Sequence, residues 1–191
     1  LKEYKGKINK KVLIIAGSPD AISRKRDLSH YDLIIKMNRT PLDNKYDDCI
    51  SQRCDIWSVA PELPPIMKTN KKYCEIANEI WVYNYTNKQH KYFEKLKKSG
   101  FCKTKIKIMP NEEIRKFCAN NKFVDIPSTG LATIITAMFF YSDVTILGFT
   151  HQLGSNKAHF YDNQTRRVHN FEKEKVIINL LISQGLLKKH N

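Results

Sequence analysis

Short apolar, β-branched runs recur along the chain, each ended by a turn signal. Lys11–Ala16 stops at Gly17-Ser18-Pro19, and Asp32–Met37 stops at Asn38-Arg39. Cys54–Val59, Glu79–Tyr83, Lys105–Met109 and Asp143–Leu147 have the same form, the last closed by Gly148. Such runs, bounded by turn formers, read as buried strands. Between them, helical patterns are predicted over about Lys88–Lys98, Glu112–Ala119, Thr129–Phe140 and Asn170–Ser183.

Strands that alternate with helices imply right-handed crossovers and a mostly parallel sheet. The continuous apolar character of the strands implies that both sheet faces are covered. The expected fold class is α/β: a single-lobed, mostly parallel Rossmann-like sheet flanked by helices. No repeat, low-complexity segment or linker divides residues 1–191, so one domain is expected. Ligands of such sheets bind beyond the carboxyl ends of the strands, so the polar residues there are read most closely. Pro61–Pro65 reads as a loop. The polar, aperiodic stretch Gly148–Gln164 is longer than a tight connection, which favours a functional loop.

Composition narrows the picture without deciding it. Hydrophobic residues make up 41% of the 191, which excludes a disordered chain. No apolar run approaches the roughly 20 residues needed to cross a bilayer, and Leu1–Lys11 is too polar for a signal peptide. The 33 basic and 19 acidic side chains give a net charge of +14, which favours phosphorylated substrates, acidic membranes or nucleic acid. It equally suits a solvated lysine-rich face. Five cysteines without a repeated short spacing argue against a disulfide framework or zinc site and fit a reducing compartment.

Candidate chemistry gathers after the strands. Gly17 and Ser18 follow the first strand, where a phosphate could meet backbone N–H groups or the chain simply turns. Neither a dinucleotide fingerprint nor a Walker pattern is present. Asn38 offers an amide for a base or phosphate and Arg39 a charged fork; a turn before Pro41 is the plainer reading. Ser128, Thr129 and Gly130 precede an apolar helix, as a cap, an anion site or both. His159 and His169 flank the end of the long polar segment, and either could take an alcohol proton or meet phosphate charge. Glu172 and Glu174 complement a helix start or orient a neighbour.

Taken together, these segments resemble the sialyltransferase family of eukaryotic type, with its four sialylmotifs in order from residue 12 to residue 174. The large motif resembles Val12–Arg53, most clearly Asp32–Pro41. The small motif resembles Pro127–Phe149. The third resembles His159-Phe160-Tyr161-Asp162, and the very small motif resembles His169 followed by Glu174. The resemblance, to a short bacterial or viral relative, implies a GT-A-like variant fold. It also implies an inverting, metal-independent transfer of sialic acid, or a sugar acid such as Kdo, from a CMP-activated donor to a glycan or glycolipid hydroxyl. It implies His169 as general base and His159 facing the phosphate. Gly17, Ser18, Asn38, Arg39, Ser128, Thr129 and Gly130 would line the CMP site, with Glu174 and Tyr161 in support. No cofactor is implied, because the CMP-sugar is itself a substrate.

The chain also departs from the pattern. The family's cysteines near Val12 and Ser142 are absent, and its Gly-Asn pair after the first strand is Ala16-Gly17 here. The missing cysteines fit a cytoplasmic enzyme, and the positive charge suits peripheral contact with the anionic inner face of a membrane. The rival reading is a basic nucleic-acid-binding module without catalytic activity. It would need a stacking platform or recognition helix, and none stands out, so no specific nucleic-acid partner is expected.

Overall fold

The computed structural model describes residues 6–59, 71–83, 104–109, 111–123, 127–149 and 170–190. Seven strands form one sheet: β1 (Ile8–Ile15), β2 (Leu33–Met37), β3 (Ile56–Val59), β4 (Glu79–Val82), β5 (Lys105–Ile108), β6 (Tyr141–Leu147) and β7 (Lys188–Lys189). Their order is β5-β4-β3-β2-β1-β6-β7, and every neighbouring pair is parallel. The helices are α1 (Asp47–Ile50), α2 (Lys71–Ile76), α3 (Asn111–Asn120), α4 (Thr129–Phe140) and α5 (Phe171–Ser183). Short 3-10 turns lie at Pro19–Ile22 and Asn44–Tyr46.

The six strands expected from the sequence are present, with ends shifted by up to three residues. The largest shift is in β1, which begins at Ile8 because its polar first half pairs with the start of β6. There Ile8 lies opposite Tyr141, and the register slips between Ile8 and Lys11. The last four residues of β1 are wholly buried, as the apolar run requires. The helix expected over Lys88–Lys98 lies outside the described residues.

α4 organises the core. Ten of its residues, from Thr129 to Phe139, are buried, which suits a sequence apolar around the whole helix. It lies with α5 and α3 on one sheet face, joined to β1, β2 and β6 by Val12, Ile14, Ile35, Val144 and Ile146. Phe117 of α3 meets Phe139 edge to face at 5.7 Å. On the other face, Leu13, Ile15, Ile34 and Leu147 are covered by Ala21, Leu28 and Tyr31 of the β1–β2 crossover and by Ile50 of α1. That crossover contains no α-helix. Arg26 holds it instead, donating to the carbonyls of Ala21 at 2.9 Å, Arg24 at 2.8 Å and Asp20 at 3.1 Å.

Candidate functional site

Strands β1 to β5 step across the sheet in one direction, while β6 lies on the other side of β1. The strand order therefore reverses at β1, and ligands of open α/β sheets bind beyond the carboxyl ends at such a point. Gly148 stands there, against the end of β1. It has φ +77°, and a Cβ there would lie 2.6 Å from the Ala16 carbonyl oxygen and 2.9 Å from the Ala21 Cβ. Only glycine allows the two strand ends to approach this closely. Ser18 then donates its N–H to Gly148 O at 3.3 Å and its hydroxyl to Asp20 Oδ1. Both donors of this buried serine have partners inside the protein. Here the turn reading of Gly17-Ser18 is what the geometry displays.

Asn38 follows β2 in the left-handed region, with φ +48°. Asparagine accepts this conformation better than most side chains. Its backbone is tied to β3 on both sides: its N–H donates to Ser58 O at 2.8 Å, and its carbonyl accepts from Trp57 Nε1 at 2.8 Å. Trp57 stacks in turn on Tyr73 of α2 at 4.8 Å, and the Tyr73 hydroxyl donates to Thr40 O. Thr40 closes the turn by donating both its N–H and its hydroxyl to Met37 O, at 3.0 and 2.8 Å. Asn38 and Arg39 thus occupy a fixed turn at the sheet's carboxyl edge.

The start of α4 reaches the same place. A Cβ on Gly130 would lie 3.2 Å from Phe149 Cε1, just after β6, and 3.9 Å from Met37 Cε at the end of β2. Ser128 is the N-cap, its hydroxyl accepting from Leu131 N at 3.2 Å. The N–H groups of Thr129 and Gly130 form no hydrogen bond with a described residue, so they remain as the donors of a helix N-terminus. Buried hydroxyls hold this turn against the sheet. Thr133 donates to Thr129 O at 2.6 Å and shares a 2.6 Å hydrogen bond with Ser58 of β3. The Tyr83 hydroxyl, after β4, donates to Thr136 at 3.1 Å. Burial pushes the Tyr83 phenol up to about 12, so it remains a donor at neutral pH.

Glu174 is 1% exposed. Its Oε1 accepts from the Ser128 N–H at 2.7 Å and its Oε2 from the Ser128 hydroxyl at 2.6 Å. The carboxyl group therefore clamps the first turn of α5 to the N-cap of α4. Asn170 caps α5, accepting from Lys173 N at 3.0 Å. The macrodipole reading explains the exposed Glu172; Glu174 has the more specific partner.

Beneath β2 lies a buried amine. Lys36 is wholly inaccessible and donates to Ser51 O, and burial lowers it to about 8. Burial likewise pushes the neighbouring Cys54 thiol up to about 12, which leaves it protonated and unreactive. Cys49, Cys54, Cys74 and Cys118 are free thiols. His159, Tyr161 and His169 lie outside the described residues. Among the described residues, no group of three or more His, Cys, Asp or Glu could hold a metal, and no helix is long and apolar enough to cross a membrane.

Gly17, Ser18, Asn38, Arg39, Ser128, Thr129 and Gly130, far apart in sequence, thus share the carboxyl edge of one sheet. The family model for glycosyltransferase family 29 (sialyltransferase) matches residues 81–186, more than half of the chain. The chain belongs to this sialyltransferase family. The matched span includes Ser128, Gly148 and Glu174, so the α4 cap and its clamp are parts of a family 29 glycosyltransferase. No curated protein matches the sequence. Solved structures of the sialyltransferase CstII share the fold at low identity. One, in complex with CMP, has TM-score 0.64 and 15% identity over 95% of this chain and 80% of that one. Another, with a trisaccharide acceptor and CMP, has TM-score 0.63 and 16% identity over the same shares. A third, from Campylobacter jejuni with the substrate analogue CMP-3FNeuAc, has TM-score 0.62 and 14% identity over 94% and 80%.

Sequence reasoning left Gly148 and Phe149 unassigned, although Gly148 was visible as the strand terminator. The hydroxyls of Ser58, in β3, and Tyr83, just after β4, gave no signal, because each looks like one polar residue of an apolar run.

Proposed function

We propose that this sialyltransferase-family chain moves sialic acid, or a related sugar acid such as Kdo, from its CMP-activated form to a hydroxyl of a glycan or glycolipid. The CstII complexes with CMP, a CMP-sugar analogue and an acceptor make that donor and acceptor the natural class. The bond from the anomeric carbon to the phosphate oxygen breaks, and CMP leaves with the electron pair. The acceptor oxygen forms the new bond from the opposite face, with inversion, while His169 takes its proton.

The N–H groups of Thr129 and Gly130, at the positive end of α4, suit the departing phosphate, with His159 facing it. Asn38 and Arg39 suit the rest of the nucleotide. This reading asks nothing of a metal. The observation that carries it is the Glu174–Ser128 clamp. It joins the anion-binding end of α4 to the first turn of α5, and His169 is the residue just before the Asn170 cap. Family membership favours the enzyme over the nucleic-acid module.

The test is transfer from CMP-Neu5Ac and CMP-Kdo, measured side by side. Replacing His169 with alanine is expected to lower transfer by roughly 10²–10⁴-fold, the usual contribution of a positioned base, with CMP affinity retained. Equal loss of transfer and CMP binding would remove His169 from the role of base; no turnover of either donor by the native chain would refute the reading.

A further inference from the structure

The carboxyl rim at β1 and β6 extends toward β7. A cavity of about 220 Å³ opens between α5 and the carboxyl ends of β6 and β7. Gly148, just after β6, lines it, and so does Phe149, which also lies against Gly130 at the start of α4. Ligand pockets commonly run to ~300–1,000 Å³, so this volume suits one group or one sugar ring rather than a whole oligosaccharide.

Its polar lining is unbalanced. Lys175 and Asn179 come from α5, Lys189 and His190 from the β7 edge, and Asp20 from the turn after β1. The one carboxylate among them already accepts from the Ser18 hydroxyl. Neither Lys175 nor Lys189 is paired with a carboxylate among the described residues. His190 Nδ1 is engaged with the Tyr31 hydroxyl at 2.8 Å. Burial lowers the His190 pKa first, and the nearby basic side chains, Arg26 foremost, lower it further. The imidazole therefore sits in a positive field. Two lysines, an asparagine and a histidine thus line one small cavity, and their side chains are of the kind that donates to an oxyanion.

We propose that this cavity is a subsite for an anionic group, a phosphate or carboxylate, carried by the acceptor glycan. The assignment to an acceptor rests on the transferase reading above and on Gly148 and Phe149, which place the cavity beside the proposed donor site. It gives the chain's positive charge a specific use: preference for anionic acceptors over neutral ones.

The experiment uses the full chain and has two arms. In the first, inorganic phosphate is titrated at constant ionic strength while the histidine ring signals are followed by NMR. A saturable shift of His190 toward the protonated form, weakened about tenfold in Lys175→Gln, is expected; no response in the native chain overturns the proposal. In the second, KM is measured for a galactoside and its phosphorylated counterpart with CMP-Neu5Ac as donor. The phosphorylated acceptor is expected to have a KM about tenfold lower, and the Lys175→Gln/Lys189→Gln variant to lose that difference. Equal KM values in the native chain, or a difference that survives both substitutions, overturn it. Phosphate binding without acceptor preference does the same, because it marks a site for free phosphate. Acceptor-independent hydrolysis of CMP-Neu5Ac by the native chain reports separately on the transferase reading.

Discussion

The two ends of the sheet are built from different chemistry. At the amino ends, acidic side chains saturate strand donors and bases. Asp32 accepts from Lys11 N at 2.7 Å, and Asp55 from Ile34 N at 2.7 Å and Arg53 Nε at 2.9 Å. Glu79 pairs with Lys107 at 2.6 Å and Asp143 with Lys188 at 2.8 Å. At the carboxyl ends stand a positive-φ glycine, a left-handed asparagine and a helix start with two N–H groups to offer. The amino edge is closed upon itself, whereas the carboxyl edge keeps donors for something else. One fold can therefore devote one rim to stability and the other to chemistry.

The sharpest way to break this contrast is at Gly148. Gly148→Ala places a Cβ against backbone at positive φ, and a loss of roughly 3–5 kcal/mol in unfolding free energy is expected. Denaturant titration measures it; a loss below 1 kcal/mol would mean that the junction of the β1 and β6 ends is compliant. Glu174→Ala comes next. It strands the Ser128 N–H and hydroxyl, at a cost of about 3 kcal/mol, and should lower kcat/KM further as α5 and α4 lose their register. Glu174→Gln keeps an acceptor and should recover part of both losses. Full stability in the alanine variant would show that the clamp is dispensable.

Lys36 has the opposite sign. Its folded pKa of about 8 lies below the ordinary 10.5, so the unfolded chain holds the proton more tightly. The penalty is complete below pH 8, at about 3 kcal/mol, and fades as pH rises toward 10.5. Lys36→Met should stabilise the fold by about 2 kcal/mol at pH 7, after the lost hydrogen bond to Ser51 is counted. That gain should vanish by about pH 10.5. A pH-independent difference between variant and native unfolding free energies would contradict the assignment. The smallest effect is expected at the closed edge. Asp55→Asn should cost about 1 kcal/mol and leave KM for the donor unchanged, whereas a raised KM would show that the amino edge communicates with the site.

The first six strands were legible because each is a short run with β-branched residues bounded by turn signals, and α4 because Ser-Thr-Gly leads into ten residues of which eight are apolar. β7 escaped notice: two exposed lysines carry no strand pattern, and only their pairing with Thr145 and Ile146 defines them. The β1–β2 crossover was equally opaque, since it follows neither period and is held by one arginine on carbonyls. Ser128 was readable as a cap from its neighbours alone. That Glu174 serves it was not, because the partners meet only through the packing of α5 beside α4.

Val12, in the middle of the sheet, lies beside Val144, most of the chain away. During synthesis the first strand must wait for nearly the last one before the carboxyl rim can assemble. Such a contact closes a long loop, and topologies rich in such contacts fold slowly. A nascent chain that stops short of β6 should therefore be inert, however well its first five strands have formed.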